Sequence, residues 1–269
     1  MNRRTLLYGF SGLLIPFAGC VEPFSGSTLR ESFESTHPID QTDVVEIQNR
    51  NGEVQVFEGT TDDLRLSGEK QARTSTGLDE IEIEVSPGPI VTVEVSLGDR
   101  DGLDRRGVDL EVAVPSGIVV EQVSTENGDL SVQEVSGDVE AVTMNGSIAV
   151  EAVDGYVTAS TTNGSVKLTD TTGIDGVEST NGDLEVDINA IRDDTTCRTS
   201  NGDITARAGP DLEVGLDLLT SLGSVTIEDL EYDAAVESGS RITNGSLHGG
   251  STPILYLRTT NGSIILKPT

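Results

Sequence analysis

Apolar and polar residues alternate along most of the chain after residue 116, and Asn-Gly interrupts the alternation at regular intervals. The four copies from Asn127 to Asn181 are 18 residues apart, and a single copy lies upstream at Asn51. Leu222-Gly223 fills one gap in the series. Alternation with a period of two is typical of β-strands, so each repeat predicts a strand, a corner and a second strand. The later corner asparagines are Asn127, Asn145, Asn163, Asn181, Asn201, Asn244 and Asn261.

The residues beside the corners repeat as well. The third residue after each corner is always apolar, and the second residue before it is Thr or Ser in most copies. Asn-Gly between alternating strands is also a strong signal for antiparallel hairpins, which is the alternative arrangement. Hairpins do not require the same residue type in every copy, whereas rungs stacked about 4.8 Å apart do. The repeat therefore favours an all-β, parallel β-solenoid with rungs of about 18 to 22 residues.

The pattern divides the chain into four segments. Residues 117–269 form the predicted solenoid, and the less regular residues 37–116 form a predicted N-terminal β region that begins the stack and covers its open edge. Residues 20–36 are rich in Ser, Thr, Gly and Glu, which is typical of a flexible tether without structure. Residues 1–19 form a predicted signal peptide.

The first residues predict export and a lipid anchor. Arg3 and Arg4 precede a short apolar run, as in a twin-arginine signal, which directs the export of folded chains. The run ends at Gly19-Cys20 and resembles a lipobox, in which Cys20 carries the lipid. The alternative is an ordinary cleaved signal followed by an incidental cysteine. The lipobox predicts a protein that is anchored to the outer face of the cell membrane without spanning it.

The charge balance limits the partners. Arg3 and Arg4 leave with the signal and no acidic residue does, so 15 basic and 46 acidic residues remain, a net charge of −31. Such a surface repels nucleic acid. Lysine occurs only at Lys70, Lys167 and Lys267, and an acidic, lysine-poor composition resembles that of proteins from extreme halophiles. We therefore interpret the charge as adaptation to brine, in which carboxylates are strongly screened.

Candidate chemistry is sparse. The two histidines are predicted to be surface residues, because His37 lies near the tether and His248 has the outward parity of its strand. No acid–base site and no cofactor are therefore predicted, and we expect the protein not to be an enzyme. Cys197 falls in an apolar column, which indicates a buried residue more than a reactive thiol. Asp183 and Asp203 follow successive corners, so they could share a weakly bound Ca²⁺, although a solvated face is the preferred interpretation.

Four corners also match the acceptor pattern for N-glycosylation. Asn-Gly-Ser occurs at Asn145, Asn163, Asn244 and Asn261. The same corner recurs as Asn-Gly-Asp in other copies, so a structural role for asparagine explains the repeat without a sugar. N-glycosylation of these four asparagines is the alternative interpretation of the pattern.

The segment Val-Asp-Leu-Glu-Val-Ala-Val-Pro-Ser at 108–116, followed by Ser-Thr-Glu-Asn-Gly-Asp-Leu-Ser-Val at 124–132, resembles the putative adhesin, β-strand-repeat family of unknown function. The resemblance covers residues from about 40 to 269. It implies a right-handed β-solenoid at the cell surface and brings no catalytic residues. The expected function is adhesin-like binding of an envelope protein or glycan. A structural or sensory envelope module is the alternative, and a polysaccharide-active enzyme is a more distant one.

Overall fold

The computed structural model describes residues 28–40, 44–98 and 106–269. Its N-terminal part contains one short helix and seven strands: β1 (Leu29–Pro38), β2 (Val44–Gln48), β3 (Val54–Glu58), β4 (Asp63–Ala72), α1 (Ser75–Asp79), β5 (Glu82–Ser86), β6 (Ile90–Ser96) and β7 (Gly107–Val114). Thr74 caps α1, because its side-chain oxygen accepts a hydrogen bond from the Gly77 N–H at 3.0 Å.

The middle of the chain alternates longer strands that end at a corner asparagine with shorter strands that follow the corner. The strands are β8 (Val119–Asn127), β9 (Leu130–Gln133), β10 (Val139–Asn145), β11 (Ile148–Glu151), β12 (Tyr156–Asn163), β13 (Val166–Thr169), β14 (Gly173–Asn181), β15 (Leu184–Ile188), β16 (Thr195–Arg198) and β17 (Ile204–Ala208). Six strands complete the fold: β18 (Val214–Leu222), β19 (Val225–Ile227), β20 (Tyr232–Ser238), β21 (Arg241–Leu247), β22 (Ile254–Asn261) and β23 (Ile264–Pro268).

The strands form two long sheets that are parallel through their middle. Sheet A has 11 strands in the order β1-β4-β7-β3-β9-β11-β13-β15-β17-β23-β19. Sheet B has 12 strands in the order β20-β21-β18-β22-β16-β14-β12-β10-β8-β2-β6-β5. Equivalent residues of successive repeats are paired, as Val139 with Val157 in sheet B and Ile148 with Val166 in sheet A. The prediction of an all-β, solenoid-like fold with stacked parallel strands is confirmed.

The core lies between the two sheets. Each strand points alternate side chains inward, so columns of Val, Ile, Leu and Ala from successive rungs form one continuous hydrophobic cluster. Leu184 is 1% exposed and Val177 is fully buried, and both belong to these columns. A single rung could not bury its apolar face, so the stability of each rung depends on its neighbours.

The order of rungs in space differs from their order in sequence near residue 201. The rung that contains Asn261 lies between the rung of Asn201 and the rung of Leu222, because β22 pairs with both β16 and β18 and β23 pairs with both β17 and β19. Residues 254–268 are therefore interior strands of both sheets. Spacing along the chain could not reveal this insertion, because it follows sequence order only.

Asn244 was predicted to be a corner of the stack, and this prediction is wrong. Asn244 lies inside β21, which runs antiparallel to β18 and to β20. Its φ is 50°, a left-handed conformation that asparagine tolerates better than most residues. Here the Asn-Gly sequence marks an irregularity in an antiparallel ribbon, so it shares no column with the other corner asparagines.

The predicted tether 20–36 is also wrong over most of its described part. Residues 29–36 belong to β1, which pairs with β4 along its whole length in antiparallel register, and Phe33 packs against the core. Polar outward residues give this edge strand the composition of a linker. The tether's first residues, the signal peptide, Arg3, Arg4 and Cys20 lie outside the described residues.

The N-terminal β region is part of both sheets. Strands β2 and β3 form a rung next to β8 and β9, with Asn51 bridged to Asn127, and strands β6 and β7 lie one position further out. Sequence order and spatial order thus differ at this end of the stack too. Within the described ranges, no helix is long and apolar enough to cross a membrane.

Candidate functional site

The corner asparagines form one column on the surface, which we call the asparagine column: Asn51, Asn127, Asn145, Asn163, Asn181, Asn201 and Asn261. Each side-chain Nδ2 from Asn127 onward donates to Oδ1 of the neighbouring rung's asparagine, at 2.7 to 2.9 Å. Leu222 is in register with Asn261 at the end of the column and is 69% exposed. The column is a hydrogen-bonded amide ladder that runs along the stack.

A side-chain hydrogen bond and a close approach between backbones hold the corners together. The Thr or Ser two residues before the corner is buried and donates its hydroxyl to a corner glycine carbonyl on the adjacent rung, as Thr161 Oγ1 does to Gly146 O at 2.9 Å. A Cβ at Gly182 would stand 2.0 Å from the carbonyl oxygen of Gly164. Glycine is therefore required because the backbones of adjacent rungs meet there.

The candidate glycosylation sites lie in different surroundings. The Nδ2 atoms of Asn145, Asn163 and Asn261 already donate within the asparagine column, and these residues are exposed. Asn244 is exposed in β21. Glycosylation stays a prediction at all four positions.

The candidate calcium ligands also have a structural role. Oδ1 of Asp183 accepts the backbone N–H of Asp203 at 2.8 Å, and Oδ1 of Asp203 accepts that of Ser263 at 2.7 Å. In the described part of the chain, no group of three or more His, Cys, Asp or Glu side chains could hold a metal ion. The Ca²⁺ site at Asp183 and Asp203 remains a prediction, and these hydrogen bonds account for the position of both carboxylates.

The two histidines and Cys197 lie in three different parts of the fold. His37 lies in β1, 3.0 Å from Ser35 Oγ, and burial lowers its pKa. His248 follows β21, with Nδ1 3.1 Å from the Leu212 carbonyl. Cys197 is fully buried in sheet B, and burial raises its pKa to about 12. The thiol is thus protonated at neutral pH and packs as a small apolar side chain.

Arg192 forms ion pairs with two carboxylates on the surface of the stack. Arg192 binds Asp175 and Asp138, at 2.8 Å in the second case, and its guanidinium lies 4.4 Å from the centre of the Tyr156 ring. The Asp138 pKa is lowered mainly by the hydrogen bond from the Tyr156 backbone N–H and then by Arg192. Because these residues come from successive turns of the chain, Arg192 ties the turns together outside the core.

A second arginine is neutralised on the outer face of sheet A. Arg207 binds Glu185 and also Asp187, the latter at 3.0 Å. The hydrogen bond from Arg207 is the main cause that lowers the pKa of Glu185. Lys167 lies 3.9 Å from the same carboxylate, so this basic cluster is balanced by acids.

The outer face of sheet B carries a different arrangement, which we call the arginine row: Arg198 on β16, Arg258 on β22 and Arg241 on β21, with Leu219 of β18 between the last two. Backbone pairing places Arg198 beside Arg258, Arg258 beside Leu219, and Leu219 beside Arg241. With strands about 4.8 Å apart, the row spans about 14 Å across four strands. The four strands that build this surface lie in the order β21-β18-β22-β16, which differs from their order in the sequence.

The three arginines differ in their contacts. Nη1 of Arg258 donates to the backbone oxygen and the Oδ1 of Asp217, at 2.8 and 2.9 Å, and its guanidinium lies 5.3 Å from the centre of the Tyr256 ring. Arg198 and Arg241 are exposed, and within the described ranges neither makes an ion pair or a side-chain hydrogen bond. Two guanidinium groups are therefore available on a strongly acidic protein.

A shallow groove of about 490 Å³ lies along this face. Its walls include Arg198, Arg258 and the half-exposed side chain of Leu219. Thr196, Ser221 and Thr260 add outward-facing hydroxyl groups to the lining, and Tyr256 adds its ring. Thr199 and Thr259 also line the groove, but their side chains are buried and their hydroxyls donate to the carbonyl oxygens of Gly182 and Gly202. The groove thus combines guanidinium donors, hydroxyls and a small apolar surface.

The sequence repeat does not predict this groove. Arg198 and Arg258 both stand three residues before a corner asparagine, so the repeat places them in one outward column. Their contact depends on the insertion of residues 254–268 beside β16, which the repeat does not encode. Arg241 reaches the row only because β21 returns antiparallel to β18.

Two long, mainly parallel sheets around one core, with asparagine corners in register, define an all-β, solenoid-like protein. Residues 36–266 match the model of the Toastrack DUF4097 family, and the chain belongs to that family. No curated protein matches the chain.

Several solved structures are similar at low sequence identity. A putative adhesin from Bacteroides fragilis is 13% identical, with 90% of this chain and 98% of that chain covered and a TM-score of 0.47. A putative adhesin from Parabacteroides distasonis is 10% identical, with coverages of 90% and 98% and a TM-score of 0.44. A putative lipid binding protein from Parabacteroides distasonis is 11% identical, with coverages of 90% and 97% and a TM-score of 0.39.

Proposed function

We propose that this protein is a non-enzymatic, adhesin-like module of the cell surface, which binds a protein or glycan of the cell envelope through an outer sheet face. The observation that supports the proposal most directly is the groove on sheet B. Arg198 in its lining, and Arg241 two strands beyond Arg258 in the arginine row, have no acidic partner in the described ranges, although acidic residues outnumber basic ones in the chain, 46 to 17. Unsatisfied guanidinium groups beside a groove are suited to an external ligand.

The rigid stack supports this role physically. The rungs of Asn201 and Asn261, which carry Arg198 and Arg258, are held by core packing, by the hydrogen bond between the two asparagines and by hydroxyl bonds from Thr199 and Thr259 to corner glycines, so this part of the groove is preorganised. A preorganised surface loses little conformational entropy when it binds. We also infer a right-handed coil, since connections between parallel strands of one sheet are right-handed in about 98% of cases.

The proposed location is the outer face of the cell membrane, with Cys20 as the lipid-bearing residue and Arg3 and Arg4 in the export signal. The strand β1 begins at Leu29, so only a short segment would separate the lipid from the folded part. Cys20→Ser should release the protein into the medium, as measured by fractionation of cells and culture supernatant. Retention of the variant on the membrane would contradict the lipid anchor.

Adaptation to concentrated salt is proposed for the acidic surface. Repulsion among the 46 acidic residues is weakened in molar salt, where the screening length is about 3 Å. Circular dichroism of the full chain should show loss of β structure as salt is lowered from molar to millimolar concentration. An unchanged spectrum would argue against this adaptation.

Binding is tested with the full chain purified in mild detergent and labelled with a fluorophore. We expect saturable binding to cells that lack the protein and to glycans isolated from their envelope. A structural or sensory module without a ligand of its own is the competing function, and it predicts no saturable binding to either preparation.

A further inference from the structure

We propose that the groove of sheet B and the adjoining arginine row bind an anionic polysaccharide, with Arg198 in the groove and Arg241 beside Leu219 at its border contacting the carboxylate or sulfate groups. The inference rests on the proposed surface-binding function and names the chemistry of its ligand. The first step of the argument is charge. The arginine row gathers three guanidinium groups, and only Arg258 is bound to a carboxylate, that of Asp217.

Arg198 forms no ion pair with the acidic residue beside it among the described residues. Glu178 is in register with Arg198 on the next strand and is exposed, yet no ion pair joins the two side chains in the described structure. Arginines elsewhere in this chain, such as Arg192 and Arg207, each bind two carboxylates. An external anion would complete the pairing that the chain itself leaves open at Arg198 and Arg241.

The spacing of the row favours a polymer over a single anion. Arg198 and Arg258 are on adjacent strands, whereas Arg258 and Arg241 are two strands apart with Leu219 between them. These separations correspond to about 5 and 10 Å. One small anion cannot reach both ends of a row about 14 Å long, but a linear chain with repeated anionic groups can contact all three arginines.

The lining favours a sugar polymer over an acidic peptide. Protein-binding sites are usually centred on anchor side chains that enter well-packed, fully desolvated pockets. Here the groove is shallow, and among the described residues its lining combines Leu219 and the Tyr256 ring with the hydroxyls of Thr196, Ser221 and Thr260. Hydroxyl groups can donate to and accept from sugar hydroxyls, and Leu219 offers an apolar patch to the C–H face of a ring.

Arg258 has a positioning role in this arrangement. Its two hydrogen bonds to Asp217 and its place over the Tyr256 ring fix the guanidinium on the central strand. The exposed side chains of Arg198 and Arg241 can then adjust on either side of it. Because β22 carries Arg258 between β16 and β18, the site forms only when residues 254–268 are inserted.

The test uses the full chain in mild detergent, at the lowest salt concentration that preserves its β circular dichroism. The probes are polygalacturonate, dextran sulfate, neutral dextran and polyglutamate, and binding is measured by fluorescence polarisation of labelled probe. We expect saturable binding of polygalacturonate, dextran sulfate or both, and none of neutral dextran or polyglutamate. The first two probes distinguish a carboxylate from a sulfate as the recognised group.

Variants locate the site. The pair Arg198→Gln and Arg241→Gln should weaken binding of the polysaccharide at least tenfold. The control pair Arg30→Gln and Arg65→Gln removes the same charge from exposed residues of β1 and β4, and should change affinity by less than twofold. Equal losses in both pairs, unchanged binding in the first pair, or equal binding of polyglutamate would overturn the inference.

The outcome also separates the inference from the broader proposal. If the wild-type chain binds cells saturably and the Arg198/Arg241 variant binds them equally well, the polysaccharide site is refuted and the surface-binding function stands. If the wild-type chain binds neither cells nor isolated envelope glycans, the surface-binding function itself is refuted.

Discussion

The asparagine column gives the sharpest test of how the stack is stabilised. Asn163 takes part in two of its hydrogen bonds, because Nδ2 donates to Asn145 at 2.8 Å and Oδ1 accepts from Asn181 at 2.9 Å. Asn163→Ala removes both and leaves the backbone corner intact. Asn261 is in register with Leu222 on one side, so it makes a single bond in the column, to Asn201 at 2.7 Å.

The expected cost follows from these counts. A net contribution of about 0.5 to 1.5 kcal/mol per hydrogen bond gives about 1 to 3 kcal/mol for Asn163→Ala. The column is exposed, so water can satisfy the amides that lose a partner, and the lower half of that range is expected. Asn261→Ala should cost about half as much, because it removes one bond.

The assay is urea denaturation of each variant at one fixed concentration of molar salt, followed by circular dichroism. Thr162→Ala is the matched control, since Thr162 is exposed beside Asn163 and has no place in the column. The reasoning is refuted if Asn163→Ala is no more destabilising than Asn261→Ala, or if both match the control.

Three further predictions use other parts of the molecule. Leu222→Asn should extend the column onto Asn261 and raise the free energy of unfolding by about 0.5 to 1 kcal/mol in the same assay, whereas Leu222→Ser, which lacks the amide, should not. Asp138 has a lowered folded-state pKa, so the stability it contributes is present above its ordinary value of 3.8 and is lost as pH falls through the lower value. Arg192 is the second cause of the lowered pKa after the Tyr156 N–H, so Arg192→Gln should reduce part of the pH dependence of unfolding below pH 4, and an unchanged acid titration would contradict this role. Iodoacetamide at pH 8 should leave Cys197 unmodified in the folded protein and alkylate it in urea, as mass spectrometry would show; rapid labelling without urea would be the contrary result.

The sequence was sufficient to predict the strands and their stacking where each repeat follows the one before it. Columns of apolar residues three positions after each corner, such as Leu130 and Ile148, become adjacent in the parallel sheet. The pattern encodes the inward or outward direction of each side chain because strand alternation has a fixed period. Over residues 117–208 the order of strands predicted from this local pattern is the order found in the sheets.

The rearranged ends could not be predicted in the same way. Nothing in the alternation of β16 shows that it pairs with β22, 60 residues later at Cys197 and Leu257, in place of β18. Each pairing buries an equivalent apolar column, so the choice depends on the whole stack and on the antiparallel strands β20 and β21. The arginine row depends on that choice, and for this reason the repeat alone did not reveal the candidate site.

The interior position of residues 254–268 has a consequence for the timing of folding. Before this segment is synthesised, β16 and β17 each have an edge without the strand, β22 or β23, that pairs with it in the complete fold. The unpaired N–H and C=O groups of such an edge are a template for pairing with another chain. The slot between the rungs of Asn201 and Leu222 can be filled by the chain's own late strands or by those of a second copy. Export after folding, the route that Arg3 and Arg4 predict, would let the slot close before the protein reaches the crowded cell surface.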